Sequence, residues 1–317
     1  MLKGTYIFYN EGVEIYRSEN VITKFGKRFL ANFIAGNSDF NSKEMAFGIA
    51  TSNDYPISDS NSRLGFEFYR SPVEFGSINI QPDGSGGFTY SVIYKSSVPT
   101  NIAGQINEVG LYPGLKGSIN IYSDKFISDF EDNIVWIDSS GNNPQIISSE
   151  NGVVPKIGSY LTKISTPTSS SSKEYFANMN SFDLSGYSTN DSLSIAFNQY
   201  DTNLSNIKIR FYSSDSDYFE STISPTNSTG YKILSTTLNN ALLNPIGSPV
   251  ASAINKISIV VASKSSGAST IYIDGLRIND EDAFNPDYGI ISRSIITDGL
   301  IKTLGRNVDV EYRLELF

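Results

Sequence analysis

The chain has 317 residues, a formal net charge of −9 and neither cysteine nor histidine. The two missing residue types exclude disulfides, structural zinc, cysteine nucleophiles, Ser-His-Asp triads and histidine acid-base chemistry, so that any chemistry would rest on carboxylates, tyrosine, lysine or an oxygen-ligated metal. Because phosphate neutralisation needs clustered Lys and Arg, and the sequence contains no basic run, the acidic balance argues against a nucleic-acid partner.

The overall composition is typical of an all-β protein. The chain contains 19 Tyr, 19 Phe and 25 Gly, residues that favour strands and the turns between them. Its length suits two domains of about 100 to 200 residues each. No apolar run approaches the roughly 20 residues that span a bilayer, and the first residues lack the apolar region of a signal peptide. We therefore expect no membrane insertion, and assembly in a cytoplasm.

The first elements are a hairpin and a helix. Residues 4–17 predict a β-hairpin that turns at residues 10–12. Apolar residues then recur at helical spacing over residues 21–34, with Asn20 placed as the N-cap and Gly36 at the end. This is the one convincing helix in the sequence.

A second hairpin follows from the strand signals at residues 73–81 and 88–96. The glycine-rich loop between them, residues 82–87, has no Gly-Lys-Ser/Thr ending, and no helical pattern follows it. A phosphate-binding loop needs both features. The loop is therefore predicted to be a turn.

The next predicted strand, around residues 104–113, contains a polar pair within an apolar pattern. Asn107 and Glu108 invite a catalytic interpretation, but glycoside hydrolysis needs two carboxylates at a defined separation and no partner is evident. We therefore predict that Glu108 is buried against Arg70 or Arg293.

The chain predicts one domain interrupted by another. The last run, residues 308–316, alternates apolar and polar residues with the period of a half-buried strand, in the style of the N-terminal part. Exposed loop tips tolerate such insertions. We predict a discontinuous domain of residues 1–123 and 288–317, a connector of residues 124–136 and an inserted domain of residues 137–287.

The interrupted domain resembles a small β domain of tailed-bacteriophage virion proteins. The resemblance rests on the helix, residues 64–73, the motif Ile-Asn-Glu-Val-Gly-Leu-Tyr at residues 106–112 and the closing strands from residue 291. It implies a virion structural protein of the tail-fibre, baseplate or decoration type, located in the virion. The implied partners are other virion proteins and further copies of the chain, a trimer by analogy.

The inserted domain predicts a sandwich of two antiparallel sheets. Short strands with apolar alternation occur at residues 193–197, 207–211, 257–261 and 271–273, without helical patterns between them. The expected fold class is thus all-β with one short helix: a split β-sandwich-like domain carrying an inserted antiparallel jelly-roll sandwich.

The order of these strands is similar to that of jelly-roll carbohydrate-binding modules, whose final strand carries a signature like Ile273-Asp-Gly-Leu276. The resemblance implies a structural calcium ion with Asp274 as a ligand, and Glu150 is the candidate second ligand. Calcium needs six to eight oxygen ligands. The alternative is that Asp274 caps a turn before Gly275, and we expect no other cofactor.

A candidate glycan site lies in residues 211–219, where Tyr212, Asp215, Asp217 and Tyr218 combine aromatic rings with carboxylates. A ring can stack on the C–H face of a sugar while polar groups fix its hydroxyls. The alternative is that the two aspartates form an ordinary polar turn between strands.

The leading functional hypothesis is a non-enzymatic virion component that anchors to the particle and projects the sandwich toward a host-surface polysaccharide. The alternatives are a capsid decoration protein without a ligand, a polysaccharide depolymerase and a cellular lectin-like protein. The sequence shows neither a convincing acid pair nor the long repetitive core of a β-helical depolymerase, and both absences argue against the enzyme. No catalytic residue is therefore assigned.

Overall fold

The computed structural model describes residues 2–36, 43–82, 84, 86–113, 125–131, 135–187, 191–238, 244–279 and 289–316. Strands dominate these residues, and no helix among them has the length and apolar character needed to cross a membrane. The chain divides into two compact units: unit 1 comprises Met1–Ile121 and Ala283–Phe317, and unit 2 comprises Tyr122–Asp282.

Almost all the described elements are β-strands. The first segment contains β1 (Leu2–Asn10), β2 (Val13–Glu19), β3 (Val21–Ile22), α1 (Lys24–Ile34), β4 (Lys43–Gly48), β5 (Glu67–Pro72), β6 (Glu74–Pro82), β7 (Phe88–Val98) and β8 (Gly104–Pro113). The inserted segment contains β9 (Lys125–Ser128), β10 (Trp136–Ile137), β11 (Gln145–Ile147), β12 (Leu161–Ser165), β13 (Ser172–Phe182), β14 (Ser192–Gln199), β15 (Leu204–Tyr212), β16 (Tyr218–Ile223), β17 (Gly230–Thr237), β18 (Pro245–Ile246), a short 3-10 helix (Ala251–Ala253), β19 (Ile254–Ser263) and β20 (Thr270–Asn279). The last segment contains β21 (Ser292–Lys302) and β22 (Val308–Leu316).

Unit 1 consists of two antiparallel five-stranded sheets, with strand orders β2-β1-β22-β7-β6 and β3-β21-β8-β4-β5. Strand β22 lies between β1 and β7, and β21 lies beside β8. Apolar residues from both sheets form one core, including Phe8, Phe47, Val109 and Tyr312. The predicted pairing of residues 308–316 with the N-terminal part is therefore confirmed.

The helix begins later than the sequence predicts. Val21 and Ile22 form β3 and pair with β21, because these β-branched residues complete a sheet edge, and the ladder outweighs their place in the helical pattern. The N-cap is Thr23, whose Oγ1 accepts a hydrogen bond from the N–H of Gly26 at 2.9 Å. Asn20, the predicted cap, instead donates through Nδ2 to the hydroxyl of Tyr312 at 3.2 Å.

The polar pair of β8 is structural. Glu108 Oε2 accepts hydrogen bonds from Arg293 Nε at 3.0 Å and Nη2 at 2.8 Å, and both side chains are fully buried. Asn107 donates to the carbonyl of Ile49 at 2.7 Å. The prediction that Glu108 is buried against an arginine is confirmed, and the partner is Arg293; Arg70 pairs with acidic residues of β4 and β5 instead.

Unit 2 is a jelly roll. Its six-stranded sheet has the order β10-β13-β19-β15-β16-β18, and its five-stranded sheet has the order β11-β12-β20-β14-β17, with β9 paired to β20. When β12 to β17, β19 and β20 are renumbered from one to eight, the sheets contain strands 1-8-3-6 and 2-7-4-5, the arrangement of two Greek keys in a double-sheet jelly roll. Isoleucine, leucine and phenylalanine side chains from both sheets fill the core. The predicted fold class is confirmed.

Part of the predicted connector belongs to this sandwich. Residues 125–128 form β9 and pair with β20. Phe130 and Trp136 are buried in the core of unit 2, with ring centroids 4.9 Å apart, because burial of two large aromatic side chains outweighs the acidic character of the stretch. The predicted boundaries at residues 123–124 and 287–288 lie outside the described residues, whereas the predicted boundary between residues 136 and 137 falls inside β10.

Candidate functional site

The six-stranded sheet of unit 2 has an outer face that combines charged and aromatic side chains. Because successive residues of a strand point to opposite sides, the apolar positions of β15 and β19 fill the core while the alternate positions point outward. We call this outer surface the polar-aromatic face; it comprises Glu174, Phe176, Lys208, Arg210, Tyr212, Tyr218, Glu220, Lys256 and Ser258.

Arg210 is the centre of an ionic network on this face. Its Nη1 donates to Glu174 at 2.9 Å and its Nε donates to Glu220 at 2.8 Å. Lys208 donates to the same Glu220 at 2.7 Å. Burial alone would raise the pKa of Glu220, but the hydrogen bonds from Lys208 and Arg210 outweigh it and lower this pKa below its ordinary value. Glu220 is therefore ionised at neutral pH.

The aromatic rings lie beside this network. The ring centroids of Tyr212 and Tyr218 are 4.7 Å apart, and those of Phe176 and Tyr212 are 6.0 Å apart. The ammonium group of Lys256 lies 4.7 Å from the Tyr212 ring, and the guanidinium of Arg210 lies 5.0 Å from the Tyr218 ring. Tyr212 is only 4% exposed, whereas Tyr218 and Phe176 are half-buried. The accessible rings are thus those of Tyr218 and Phe176, with Tyr212 packed between them.

An open polar cavity of about 560 Å³ adjoins the face, lined by Asn178, Ser213, Ser214, Asp215, Asn255 and Lys256. Asp215 is fully exposed and pairs with Lys256, which also contacts the Tyr212 ring. The cavity and the polar-aromatic face are therefore joined through Lys256.

Asp217 has a different position. Its carboxylate accepts hydrogen bonds from the N–H of Ser248 at 2.9 Å and from the hydroxyl of Ser214. The hydroxyl of Ser214 and the N–H of Ser248 lower the pKa of Asp217. The structure therefore brings Tyr212, Tyr218 and Asp215 together at the face, while Asp217 stabilises the loop of residues 213–217.

Glu174, Phe176, Arg210 and Lys256 belong to the face but not to the site predicted from the sequence. They come from β13, β15 and β19, which are distant in sequence and become neighbours only through the sheet order. The available signal was the alternation of Lys208 and Arg210 with the apolar positions of β15, which places both cations on one outward face.

The calcium candidate Asp274 is fully buried, and its oxygens face hydrogen-bond donors. Oδ2 accepts from the N–H of Lys156 at 2.8 Å and from the hydroxyl of Tyr231 at 2.7 Å, and Oδ1 accepts from the N–H of Ile157 at 3.3 Å. Burial raises the pKa of Asp274 to about 7, although these three hydrogen bonds oppose the shift. This set of donors does not fit a calcium ion, which would require oxygen ligands in their place.

Glu150, the second calcium candidate, is also engaged by donors. It accepts hydrogen bonds from Lys163 Nζ at 2.8 Å and from the hydroxyl of Tyr272 at 3.1 Å. Among the residues that the structure describes, no group of three or more acidic side chains could hold a metal ion. Both carboxylates instead hold the segment of residues 150–157 against the five-stranded sheet.

Comparisons with known proteins assign no family. No protein-family model matches the chain, and no curated protein matches it significantly. The solved structures that it resembles include a family 11 carbohydrate-binding module of a Clostridium thermocellum cellulosomal cellulase, 16% identical over 51% of this chain and 96% of the module, with a TM-score of 0.34. A family 30 module from the same organism is 13% identical over 49% and 96%, with a TM-score of 0.35. A family 11 module in complex with a beta-1,3-1,4-mixed-linked tetrasaccharide is 16% identical over 49% and 94%, with a TM-score of 0.33. Values of this size do not establish a function for this chain.

Proposed function

We propose that unit 2 binds a glycan on the polar-aromatic face. The observation that carries the proposal is the placement of two accessible rings, Tyr218 and Phe176, beside the Arg210 network on one open sheet surface. A ring can stack on the C–H face of a sugar, while carboxylate and guanidinium groups exchange strong hydrogen bonds with its hydroxyls.

Preorganisation supports this proposal. Glu174 is held by Arg210, by Ser258 at 2.6 Å and by the hydroxyl of Tyr212 at 3.1 Å. Side chains that are already fixed lose little conformational freedom when a ligand binds. The cavity at Asp215 provides further amide, hydroxyl and carboxylate groups for a second sugar unit.

We propose binding without cleavage. Glycoside hydrolysis requires a carboxylic acid with a raised pKa and a second carboxylate across the scissile bond. The lowered pKa of Glu220 does not supply the acid. Asp274 has a raised pKa, but it is buried and its strand belongs to the other sheet.

The test is affinity on an immobilised polysaccharide panel, with reducing-end release measured in the same samples. We expect Tyr218→Ala to weaken binding about tenfold, the effect of about 1.4 kcal/mol from a lost stacking partner. Tyr200→Ala is the matched control, because Tyr200 is an exposed tyrosine adjoining β14 of the other sheet. Absence of binding to every polysaccharide, or equal loss in both variants, contradicts the proposal; release of reducing ends supports the depolymerase instead.

For the whole chain, we propose a bacteriophage virion component in which unit 1 anchors to the particle and unit 2 projects, with other virion proteins as partners. The support is the sequence motif of residues 106–112, which forms most of β8 and contains the buried Glu108. Mass spectrometry of purified particles tests this proposal: absence of the chain from particles contradicts it. Presence in particles without glycan binding would favour a decoration protein.

A further inference from the structure

The hairpin of β6 and β7 has one apolar face. In its register, Ile78 lies opposite Val92, Ile80 opposite Tyr90 and Pro82 opposite Phe88. Directly paired residues of antiparallel strands share a face, as do alternate residues along each strand. The other face carries polar residues such as Asn79 and Ser91. This alternation is that of a hairpin with one buried side.

The apolar face of the hairpin continues the core side of its sheet. Tyr94, two residues beyond Val92 on β7, lies with its ring centroid 6.4 Å from that of Tyr312 in the unit 1 core. Nevertheless, five large side chains of the hairpin are between 47% and 62% exposed, namely Phe75, Ile78, Ile80, Phe88 and Tyr90. The apolar side chains on this side are therefore buried in the rest of the sheet but exposed on the hairpin.

The exposed area is large enough for a specific contact. With roughly 150 to 200 Å² for each complete side chain, the exposed half of these five presents about 400 to 550 Å², which is near the largest apolar patch of an ordinary monomer. Two such faces would remove about 800 to 1,100 Å² of apolar surface from water. If about 60% of the interface is apolar, the total surface buried by the two molecules reaches roughly 1,300 to 1,800 Å². This area is typical of the interface in a stable complex.

The charge distribution favours a second copy of the chain as the occupant. Among the described residues of the apolar face none is charged, and the one charged residue in the sequence between residues 75 and 92 is Asp83. Two molecules of net charge −9 repel each other through most of their surfaces. An uncharged apolar patch is self-complementary and allows contact without opposing like charges.

We propose that two copies of the chain pack the apolar faces of their β6–β7 hairpins against each other about a two-fold axis. In such an isologous contact the same patch serves both molecules. The apolar face of one hairpin then covers that of the other, as the second sheet of unit 1 covers the rest of the sheet to which the hairpin belongs. The dimer does not depend on glycan binding by unit 2.

Sedimentation equilibrium of the full chain up to about 100 μM tests the proposal, since this range detects micromolar association. We expect a dimer for the wild type and at least a tenfold weaker dimer for Ile80→Lys, which places a charge in the contact. Asn79→Lys is the matched control because it adds the same charge at the neighbouring residue on the opposite face, and we expect its dissociation constant to stay within twofold.

Circular dichroism establishes that each variant is folded, and Tyr90→Ser replaces Ile80→Lys if the latter is not. A monomeric wild type overturns the proposal, as does a trimer, which the resemblance to virion proteins implies, or a dimer that both lysine variants weaken equally or that neither weakens. A wild-type monomer that instead binds phosphatidylcholine vesicles through Ile80 would assign the face to a lipid surface and also overturn it.

Discussion

Glu108 and Arg293 are buried as a pair, and neighbouring protein groups replace the hydrogen bonds to water that each side chain loses. Glu108 also accepts from the N–H groups of Gly65 at 2.9 Å and Phe66 at 2.8 Å. Arg293 donates to the carbonyl of Tyr55 at 2.9 Å and to Asn61 at 3.1 Å. A buried ion pair contributes little net stability when both charges are satisfied, but removal of one partner leaves the other charge uncompensated.

We therefore expect Glu108→Ala to destabilise unit 1 by about 3 to 5 kcal/mol, measured by chemical denaturation with far-UV circular dichroism. Glu14→Ala is the control, because Glu14 makes a comparable ion pair with Arg17 at the exposed edge of the same unit, where water screens the attraction. A Glu108→Ala protein with the stability of the control would contradict the structural role of the pair.

Asp274 makes the stability of unit 2 depend on pH. Its pKa is raised from 3.8 to about 7 in the folded protein, so its stabilising contribution is complete below about pH 4 and is lost as the pH rises through 7. We expect the difference in unfolding free energy between wild type and Asp274→Asn to fall by up to about 4 kcal/mol between pH 4 and 8, at about 1.4 kcal/mol per pH unit. A constant difference across this range would contradict the raised pKa.

For individual residues, the sequence predicts burial better than it predicts the partner of a buried side chain. The burial of Glu108 follows from a charge inside an apolar strand, but the choice of Arg293 over Arg70 depends on the register of β8 with β21, which no local pattern encodes. Similarly, Tyr212 and Tyr218 stand out in the sequence as aromatic residues near carboxylates. That Tyr212 is covered depends on its contacts with Phe176 from β13 and Lys256 from β19, which the sheet order places beside it.

Among the elements, α1 depends on one buried hydroxyl. Thr23 Oγ1 accepts from the N–H of Gly26 and donates to the carbonyl of Ile290, which precedes β21. The same side chain therefore caps the helix and connects it to the segment that follows the insertion.

We expect Thr23→Val to destabilise unit 1 by about 1 to 3 kcal/mol, because the cap and a buried hydrogen bond are both lost in a side chain of nearly equal size. Thr23→Ser retains the hydroxyl and should recover most of this stability. Thermal unfolding followed by circular dichroism measures both variants. A Thr23→Ser protein that is less stable than Thr23→Val would contradict this role of the hydroxyl and assign the effect to packing, because serine lacks the methyl group that valine retains.

The strands themselves are largely predictable from the sequence, because alternating apolar positions mark them in both units. The two hairpins of unit 1 occur where turn residues and alternation coincide. The jelly-roll order of unit 2 is less accessible, since strands that are neighbours in the sheet, such as β13 and β19, are separated by about 80 residues of sequence. The sequence pattern places the start of α1 too early, because β3 is only two residues long and too short to show alternation.

For the whole molecule, the division into two units predicts two separate unfolding transitions. Trp136 is the single tryptophan of the chain and lies buried in unit 2 against Phe130. Its fluorescence therefore reports unit 2. We expect Glu108→Ala to leave the fluorescence midpoint unchanged while lowering the midpoint of a second transition seen by circular dichroism. A shift of both midpoints together would show that the units unfold as one cooperative structure.

The partners of the buried ion pair come from opposite sides of the inserted unit, and this separation has a consequence during translation. When β8 leaves the ribosome, the partner of Glu108 is not yet present, and about 180 further residues must be synthesised before Arg293 emerges. Unit 2 is fully synthesised before Arg293 emerges. The inserted domain can therefore fold on the nascent chain while unit 1 is still incomplete. A polypeptide released before Arg293 is made would leave the Glu108 carboxylate without its partner and β8 without its neighbour β21.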